Sequence, residues 1–147
     1  MSAQGIYSTP PNGVESRLAS AIGAAQIGVI VCEYELTSVP LTAALLAAAK
    51  RGVRLTIILD AKEAARETSH AKTLKAAGLT VLLDSAHAIM HVKLCVVDGK
   101  IGIYGSYNWS FAAENENAEL SIIDTDPENV AALTQIALDH AAHSTPM

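Results

Sequence analysis

The sequence is poor in cysteine and in charge, and each shortage excludes a class of protein. Its two cysteines, Cys32 and Cys95, lie in apolar strand-like runs, which predicts buried reduced thiols and no disulfide scaffold. Charged residues make up 17% of the chain and hydrophobic residues 50%, a balance that excludes disorder and favours strands covered on both faces. We expect one domain, because 147 residues suit one ordinary core.

Long hydrophobic runs are also missing. The best candidate, residues 24–32, is short and polar-flanked, whereas a membrane span needs roughly 18 apolar residues, so stable membrane insertion is not expected. The same stretch lacks the compact basic start of a signal peptide and is better interpreted as a helix end followed by a strand. The compartment stays open: cytoplasmic if Met1 is native, and periplasmic or secreted if a signal peptide was removed.

Basic residues are few and unevenly placed. The formal net charge is -5, yet the segment from Lys50 to Lys93 contains eight basic and four acidic residues, and no Lys or Arg occurs from Glu114 onward. One face could therefore meet a polyanion, although a solvated helix face with an acidic tail fits the pattern equally well.

Apolar periodicity predicts alternating helices and strands. We expect an irregular arm over residues 1–12, with room for a short strand near Ile6, and one domain over residues 13–147. Within it the pattern predicts helices at 13–26, from Ser38 to Gly52, up to Ala77 and from Pro127, with residues 61–70 starting as a loop. Ser38 is the candidate N-cap of the second helix, and Asp126 or Thr125 that of the last. Strands are predicted around 27–36, 53–60, 80–84, 91–98, 100–106 and 117–124. This order indicates an α/β fold with a mixed β-sheet flanked by helices on both faces.

The stretch "HVKLCVVDGKIGIYGSYN", residues 91–108, concentrates groups suited to phosphoryl chemistry. Asp98-Gly99 is a favoured hairpin dipeptide, and a two-residue turn there sets His91 opposite Ser106, or opposite Asn108 if the turn shifts by one residue. Either register puts His91, Lys93, Ser106 and Asn108 on one face. An imidazole could attack phosphorus or protonate a leaving oxygen, while the cation and polar groups hold the non-bridging oxygens. Glu119, an ionisable residue in an apolar strand, could orient the histidine.

The same residues carry a family resemblance. Their spacing matches the HxKx4Dx6GSxN (HKD) motif of the phospholipase D superfamily at His91, Lys93, Asp98, Gly105, Ser106 and Asn108. Glu119 falls where the family has an acidic partner for the histidine, and the upstream pattern is similar to the family's small bacterial endonucleases. The resemblance implies a phospholipase D-like fold, a phosphohistidine intermediate, no metal or other cofactor, and two motifs per site. This chain has one motif, so the resemblance implies a homodimer that shares two copies of His91.

Several residues have plainer alternatives. A second HxK at His70 and Lys72 lies in a predicted helix, where residues two apart do not share a face. Asp98 is expected to form the turn and cap local backbone N-H groups with its carboxylate, and Gly105 to permit a bend or a close backbone approach. His87 and His91 are four apart, but no third ligand stands at useful spacing, so no metal site is predicted.

The remaining candidates concern substrate contact and the choice of function. Arg66 could clamp a phosphate or be solvated, and Trp109, with Phe111, could stack on a base or pack beneath its loop. We predict a metal-independent phosphodiesterase, an endonuclease acting on DNA or RNA through phosphohistidine at a homodimer interface. A phosphatidyl hydrolase and a non-catalytic nucleic-acid-binding module are the alternatives.

Overall fold

Apolar β-branched segments form the centre of the fold, because strands covered on both faces have no polar side to present. A computed structural model describes residues 4–10 and 13–147. The strands are β1 (Gly5–Thr9), β2 (Gly28–Glu33), β3 (Arg54–Asp60), β4 (Thr80–Asp84), β5 (Lys93–Val97), β6 (Ile101–Gly105), β7 (Glu119–Asp124) and β8 (Thr145–Pro146). The helices are α1 (Val14–Gly23), α2 (Val39–Lys50), α3 (Ala61–Ala64), α4 (Ala71–Ala76), α5 (Phe111–Asn115) and α6 (Pro127–Ala142).

One mixed sheet runs through the described residues in the order β1-β7-β6-β5-β2-β3-β4-β8. The pairs β2–β3 and β3–β4 are parallel, and all other neighbours are antiparallel. This architecture confirms the predicted α/β class with a mixed sheet. In the described part of the chain no helix is long and apolar enough to cross a membrane.

Alternation along the strands separates two cores, one on each face of the sheet. Val29 and Val31 of β2 pack with α1, α2 and α4, whereas Cys32 packs with α6 on the other face. Both cysteines are buried and free, as predicted. Burial raises the pKa of the Cys32 thiol to about 12, with Glu33 and Asp84 adding to it, which keeps the thiol protonated.

Helices α2 and α6 begin at side-chain caps that the sequence indicated, Ser38 and Asp126. The Ser38 hydroxyl accepts from Leu41 N-H at the start of α2, and the Asp126 carboxylate accepts from Glu128 and Asn129 N-H at the start of α6. The predicted loop at 61–70 is partly wrong, because Asp60 caps the short helix α3 by accepting from Glu63 N-H.

The N-terminal segment contains the short strand expected near Ile6. Gly5–Thr9 pairs along its whole length with β7, so the irregular arm predicted for residues 1–12 is a sheet edge strand over this range. The sheet edge supplies the hydrogen-bond partners that such a short apolar segment does not encode. Residues 1–3, 11 and 12 of the predicted arm lie outside the described residues.

The β5–β6 hairpin adopts neither predicted register. Asp98 and Gly99 have φ of 54° and 65° and Lys100 N-H donates to Val97 C=O, as in a two-residue turn, but Val97 pairs with Ile101. One residue, Lys100, is therefore extra on the β6 side, a bulge that changes the register by one. Simple alternation no longer puts Ser106 and Asn108 on the face of His91 and Lys93.

Candidate active site

His91 and Lys93 meet directly at the start of β5. His91 is exposed two residues before the strand, whereas Lys93, its first residue, is buried. Lys93 Nζ lies 2.8 Å from His91 Nδ1 and 3.1 Å from Nε2, and the ring of Tyr34 meets the imidazole edge-on at 4.7 Å between centroids. An ammonium can donate only to an imidazole lone pair, and a neutral imidazole has a single one, so the nitrogen that accepts from Lys93 is also the one that can act as a nucleophile.

Carboxylates surround the Lys93 ammonium. Burial lowers the pKa of Lys93 below its ordinary value of 10.5, while the charges of Glu33, Glu119 and Glu35 raise it and only partly cancel the effect of burial. The site thus holds a partly desolvated cation, which attracts a phosphate oxygen more strongly than a solvated lysine does.

Glu33 is a site residue that the sequence analysis missed. It is the register partner of Lys93 on the neighbouring strand and is completely buried. Its Oε1 accepts from Trp109 N-H at 3.1 Å, and its Oε2 has no hydrogen-bond partner among the described residues. Burial raises the pKa of Glu33 well above its usual value, although Trp109 N-H and Lys93 oppose it. An ionisable residue in an apolar strand was the available signal, the same one that pointed to Glu119.

Ser106 and Glu119 form the second pair of the site. The Ser106 hydroxyl donates to Glu119 Oε1 at 2.7 Å and accepts from Leu120 N-H at 3.0 Å. Glu119 also accepts from the Asn117 amide, so within the described residues of one chain it contacts Ser106 and Asn117 and does not reach His91. The predicted orientation of His91 by Glu119 is therefore not made inside one chain; Lys93 and Tyr34 hold the ring instead.

Gly105 makes the turn toward this pair possible. Its φ is +151°, and a Cβ built there would lie 2.1 Å from the Leu120 carbonyl oxygen. Both facts confirm the predicted bend and close backbone approach, since only glycine fits such a position without strain. The bend ends β6 and turns Ser106 toward β7.

Asn108 and Trp109 lie in the loop after Ser106. Asn108 Oδ1 is buried, and in the described part of the chain it has no hydrogen-bond partner. Trp109 is 2% exposed, its backbone N-H donates to Glu33, and its backbone carbonyl accepts from Thr37 and Ser38 N-H. Of the two alternatives for Trp109, packing beneath the loop is the one observed, and its buried indole is not available to stack on a base. Phe111, by contrast, is 68% exposed.

The Asp98 carboxylate accepts from the backbone N-H groups of Gln26, Ile27 and Gly28, at 2.8 to 3.3 Å. Burial by itself would raise the pKa of Asp98, but these donors and Lys100 hold it below its ordinary value. Asp98 therefore fastens the hairpin turn to the α1–β2 connection, whereas the predicted capping of local N-H groups is wrong, because the donors lie 70 to 72 residues away in sequence.

The three remaining candidates lie apart from the His91–Lys93 pair. Arg66 is exposed and pairs with Glu63 at 3.2 Å, and both charges act on Tyr34 at the rim. His70 contacts Thr42 Oγ1 at 2.8 Å just before α4, so the second HxK has no strand geometry. The His87–His91 pair does not form; His87 lies instead 3.2 Å from Asp84. The premise that His87 has no further ligands near it is wrong, because Asp84, His140 and His143 converge there.

Comparison with known proteins agrees with this site. The family described as "Cardiolipin synthase, PLD-like domain" matches residues 18–140, which include every motif position. The chain belongs to this phospholipase D-like family. A Rickettsia bellii protein named phospholipase D is 34% identical over 120 residues, or 82% of this chain and 60% of that protein. A Chlamydomonas reinhardtii mitochondrial cardiolipin hydrolase is 30% identical over 88% of this chain and 57% of its own length. The chain thus spans about three fifths of these curated phospholipase D-like relatives.

Solved structures share the fold over the entire length. Nuc from Salmonella typhimurium, described as a phospholipase D family member, superposes with a TM-score of 0.91 at 26% identity and covers 99% of this chain and 97% of Nuc. NucT from Helicobacter pylori, at 23% identity, has a TM-score of 0.88 and covers 99% of both chains, which shows a shared fold. The phospholipase D-like domain is therefore a phosphodiesterase fold built here around a single motif.

Proposed function

We propose that this phospholipase D-like chain is a metal-independent endonuclease that hydrolyses DNA or RNA phosphodiesters through a phosphohistidine at a homodimer interface. The observation that carries the proposal is the His91–Lys93 pair, an exposed imidazole 2.8 Å from a buried ammonium. A nucleophile beside a desolvated cation suits attack on an anionic phosphodiester.

The reaction takes two displacements. An imidazole nitrogen of His91 attacks phosphorus, the P–O bond to the leaving oxygen breaks, and His91 of the partner subunit gives that oxygen a proton. Water then attacks the phosphohistidine, the partner subunit's His91 takes the water proton, and the P–N bond breaks to release the phosphate product. Lys93, Ser106 and Asn108 bind the non-bridging oxygens. The side-chain amide nitrogen of Asn108 supplies a donor for such an oxygen, and its Oδ1 has no hydrogen-bond partner among the described residues.

Glu119 acts in this scheme as a positioning residue through Ser106. Its carboxylate accepts the Ser106 O-H, so it fixes the hydroxyl in the free enzyme. Its charge also acts on Lys93 and favours the charged ammonium. Replacing it should weaken phosphoryl binding more than it weakens folding.

A second copy of the chain supplies the second histidine. The chain has one HKD motif, and exposed apolar side chains occur in the segments that carry its residues: Ile89 before His91, Phe111 after Asn108, and Leu120 after Glu119. A twofold contact at this rim would cover those side chains and bring the two His91 residues together.

Nucleic acid is favoured over lipid as the substrate by the extent of the similarities. The chain matches 97% of Nuc, whereas it covers 60% of the Rickettsia phospholipase D and 57% of the Chlamydomonas cardiolipin hydrolase. The resemblance to the family's small endonucleases points the same way. A phosphatidyl hydrolase is the second candidate, favoured by the names of these curated relatives.

Plasmid and single-stranded DNA cleavage by the purified protein in excess EDTA tests the proposal, with His91→Ala beside it and His70→Ala as a histidine control. We expect wild type and His70→Ala to cut in EDTA and His91→Ala to lose at least about 10³-fold in rate. A labelled oligonucleotide should also leave an acid-labile adduct on His91, and sedimentation should show a dimer.

Each alternative has its own outcome. Cleavage that EDTA stops while the protein stays folded, or that His91→Ala retains, overturns the mechanism. Release of headgroups from phosphatidylcholine or cardiolipin vesicles without DNA or RNA cleavage would show the lipid hydrolase. Nucleic-acid binding without turnover, unchanged in His91→Ala, would show the non-catalytic module.

A further inference from the structure

Four potential metal ligands converge from two parts of the chain, the end of β4 with the loop after it and the end of α6. Asp84 ends β4, His87 follows in the loop toward β5, and His140 and His143 lie at the end of α6. Asp84 Oδ2 lies 2.9 Å from His140 Nδ1, 2.9 Å from His143 Nε2 and 3.2 Å from His87 Nδ1. These residues belong to no part of the phosphodiesterase site described above.

The cluster is shaped like a small coordination shell. One ligand atom from each residue lies within 4.8 Å of all the others. The three imidazole centroids are 5.0 to 5.3 Å apart and the rings are mutually tilted by 60° to 79°. A tetrahedral Zn²⁺ with Zn–N distances of 2.0–2.1 Å would set its ligand atoms about 3.3 Å apart. Small side-chain rotations would therefore bring all four ligands into place.

Burial and charge also suit a cation. The Asp84 side chain is fully buried, and the imidazoles are 17%, 37% and 47% exposed for His140, His143 and His87, so an ion can enter from solvent. The other carboxylate oxygen of Asp84 accepts from Ala86 N-H at 2.9 Å, which fixes the direction of the carboxylate. Three neutral imidazoles and one carboxylate carry one negative charge, which a divalent ion more than neutralises.

We propose that Asp84, His87, His140 and His143 bind one Zn²⁺ ion per chain at a structural site. Imidazole nitrogen with a single carboxylate suits Zn²⁺ and disfavours Mg²⁺ and Ca²⁺, which prefer oxygen shells. Such an ion would join the end of β4 to the end of α6, across 56 and 59 residues of sequence. It would also fasten the β4–β5 loop, which continues from His87 to His91.

Metal binding is measured directly, on the full-length protein and without reference to catalysis. The protein is stripped with EDTA, passed into chelator-free buffer and titrated with Zn²⁺ against a chromogenic competitor, with metal content read by mass spectrometry. We expect one Zn²⁺ per chain, no competition from millimolar Mg²⁺, and intense visible bands of four-coordinate Co²⁺ when Co²⁺ replaces it. Saturating Zn²⁺ should raise the unfolding temperature by about 5 °C or more.

Matched variants assign the ligands. His87→Ala and His143→Ala remove partly exposed rings and should weaken Zn²⁺ binding at least about tenfold and abolish the thermal shift. His70→Ala and His91→Ala should bind Zn²⁺ like wild type, which separates this site from the catalytic one. Far-UV circular dichroism of each metal-free variant confirms that it folds.

Two results would overturn the proposal. The first is a wild-type protein that takes up less than one Zn²⁺ at micromolar free zinc, which would leave Asp84 as an acceptor for three imidazole N-H groups and nothing more. The second is equal Zn²⁺ affinity in His143→Ala, His87→Ala and His70→Ala. Loss of zinc binding in His91→Ala would place the ion at the catalytic pair instead.

Discussion

Gly105 is the position where one added methyl group should do the most damage. Its φ of +151° lies in a region that residues with a Cβ rarely adopt. A Cβ there would also stand 2.1 Å from the Leu120 carbonyl oxygen and 3.1 Å from Ser121 Cα, both backbone atoms that no rotamer change can move. Gly105→Ala must therefore force β6 and β7 apart.

The cost follows from two contributions. Backbone strain at such a φ is worth about 1–3 kcal/mol. Separation of the strands by roughly 1 Å would break the hydrogen bond from Ser106 N-H to Leu120 C=O, now 3.0 Å, at about 1 kcal/mol. Gly105→Ala should thus lower the free energy of unfolding by about 2–4 kcal/mol, and it should displace Ser106 from Glu119.

Urea unfolding followed by the fluorescence of buried Trp109 measures this loss. We expect the midpoint to fall by about 1–2 M urea. Gly23→Ala is the matched control, because no atom lies within 4 Å of its Cβ and alanine favours a helix, so its midpoint should stay or rise. Gly102→Ala should cost less than Gly105→Ala, since its Cβ meets the methyl end of Leu133.

A Gly105→Ala protein with the midpoint of Gly23→Ala would refute this reasoning. It would mean that the approach of Gly105 to Leu120 relaxes without loss. Equal cleavage rates for the two variants would likewise refute the role of the bend in placing Ser106.

Three further predictions concern Asp98 in the hairpin turn, the Lys93 ammonium and the Ser38 cap of α2. Asp98→Asn should cost about 1 kcal/mol at pH 7. The pKa of Asp98 is lowered in the folded state, so the stabilisation that its carboxylate gives is lost as pH falls below 3.8. Urea unfolding should therefore show a smaller difference between Asp98→Asn and wild type at pH 2.5 than at pH 7. Burial lowers the pKa of Lys93 below 10.5, so the cleavage rate should already decline below pH 10.5 on the alkaline side of a pH-rate profile. The charge of Glu119 raises that pKa, so Glu119→Gln should move the decline to lower pH. Ser38→Ala removes the acceptor of Leu41 N-H and should cost about 1 kcal/mol in the urea assay, whereas Ser20→Ala, exposed in α1, should cost none.

Local patterns were sufficient for most elements of this fold. The strand predicted at 80–84 is β4 as observed, and the caps at Ser38 and Asp126 form as expected, because capping depends on residues only two or three positions apart. The hairpin register was wrong, since one extra residue at Lys100 follows a turn whose dipeptide is the same in both arrangements.

The candidate site likewise contains residues that the sequence identified and residues that it did not. The motif spacing identified His91, Lys93 and Ser106, since these lie in one stretch of chain. Glu33 beneath Lys93 was missed, because the two are 60 residues apart and meet only when β2 and β5 pair. The sequence left stacking and packing open for Trp109, because burial depends on what packs above a residue, which its neighbours in sequence do not reveal.

The amino-acid sequence alone was enough to establish the α/β class, the phospholipase D-like family and the motif residues, because hydrophobic period and fixed spacing are local properties of a chain. Tertiary structure decided the register of the hairpin, the acidic partner of Lys93, the contact of Glu119 with Ser106, and the cluster at Asp84, His87, His140 and His143. Those features depend on which distant segments the sheet brings into contact, and backbone pairing across it carries no signature in any one segment.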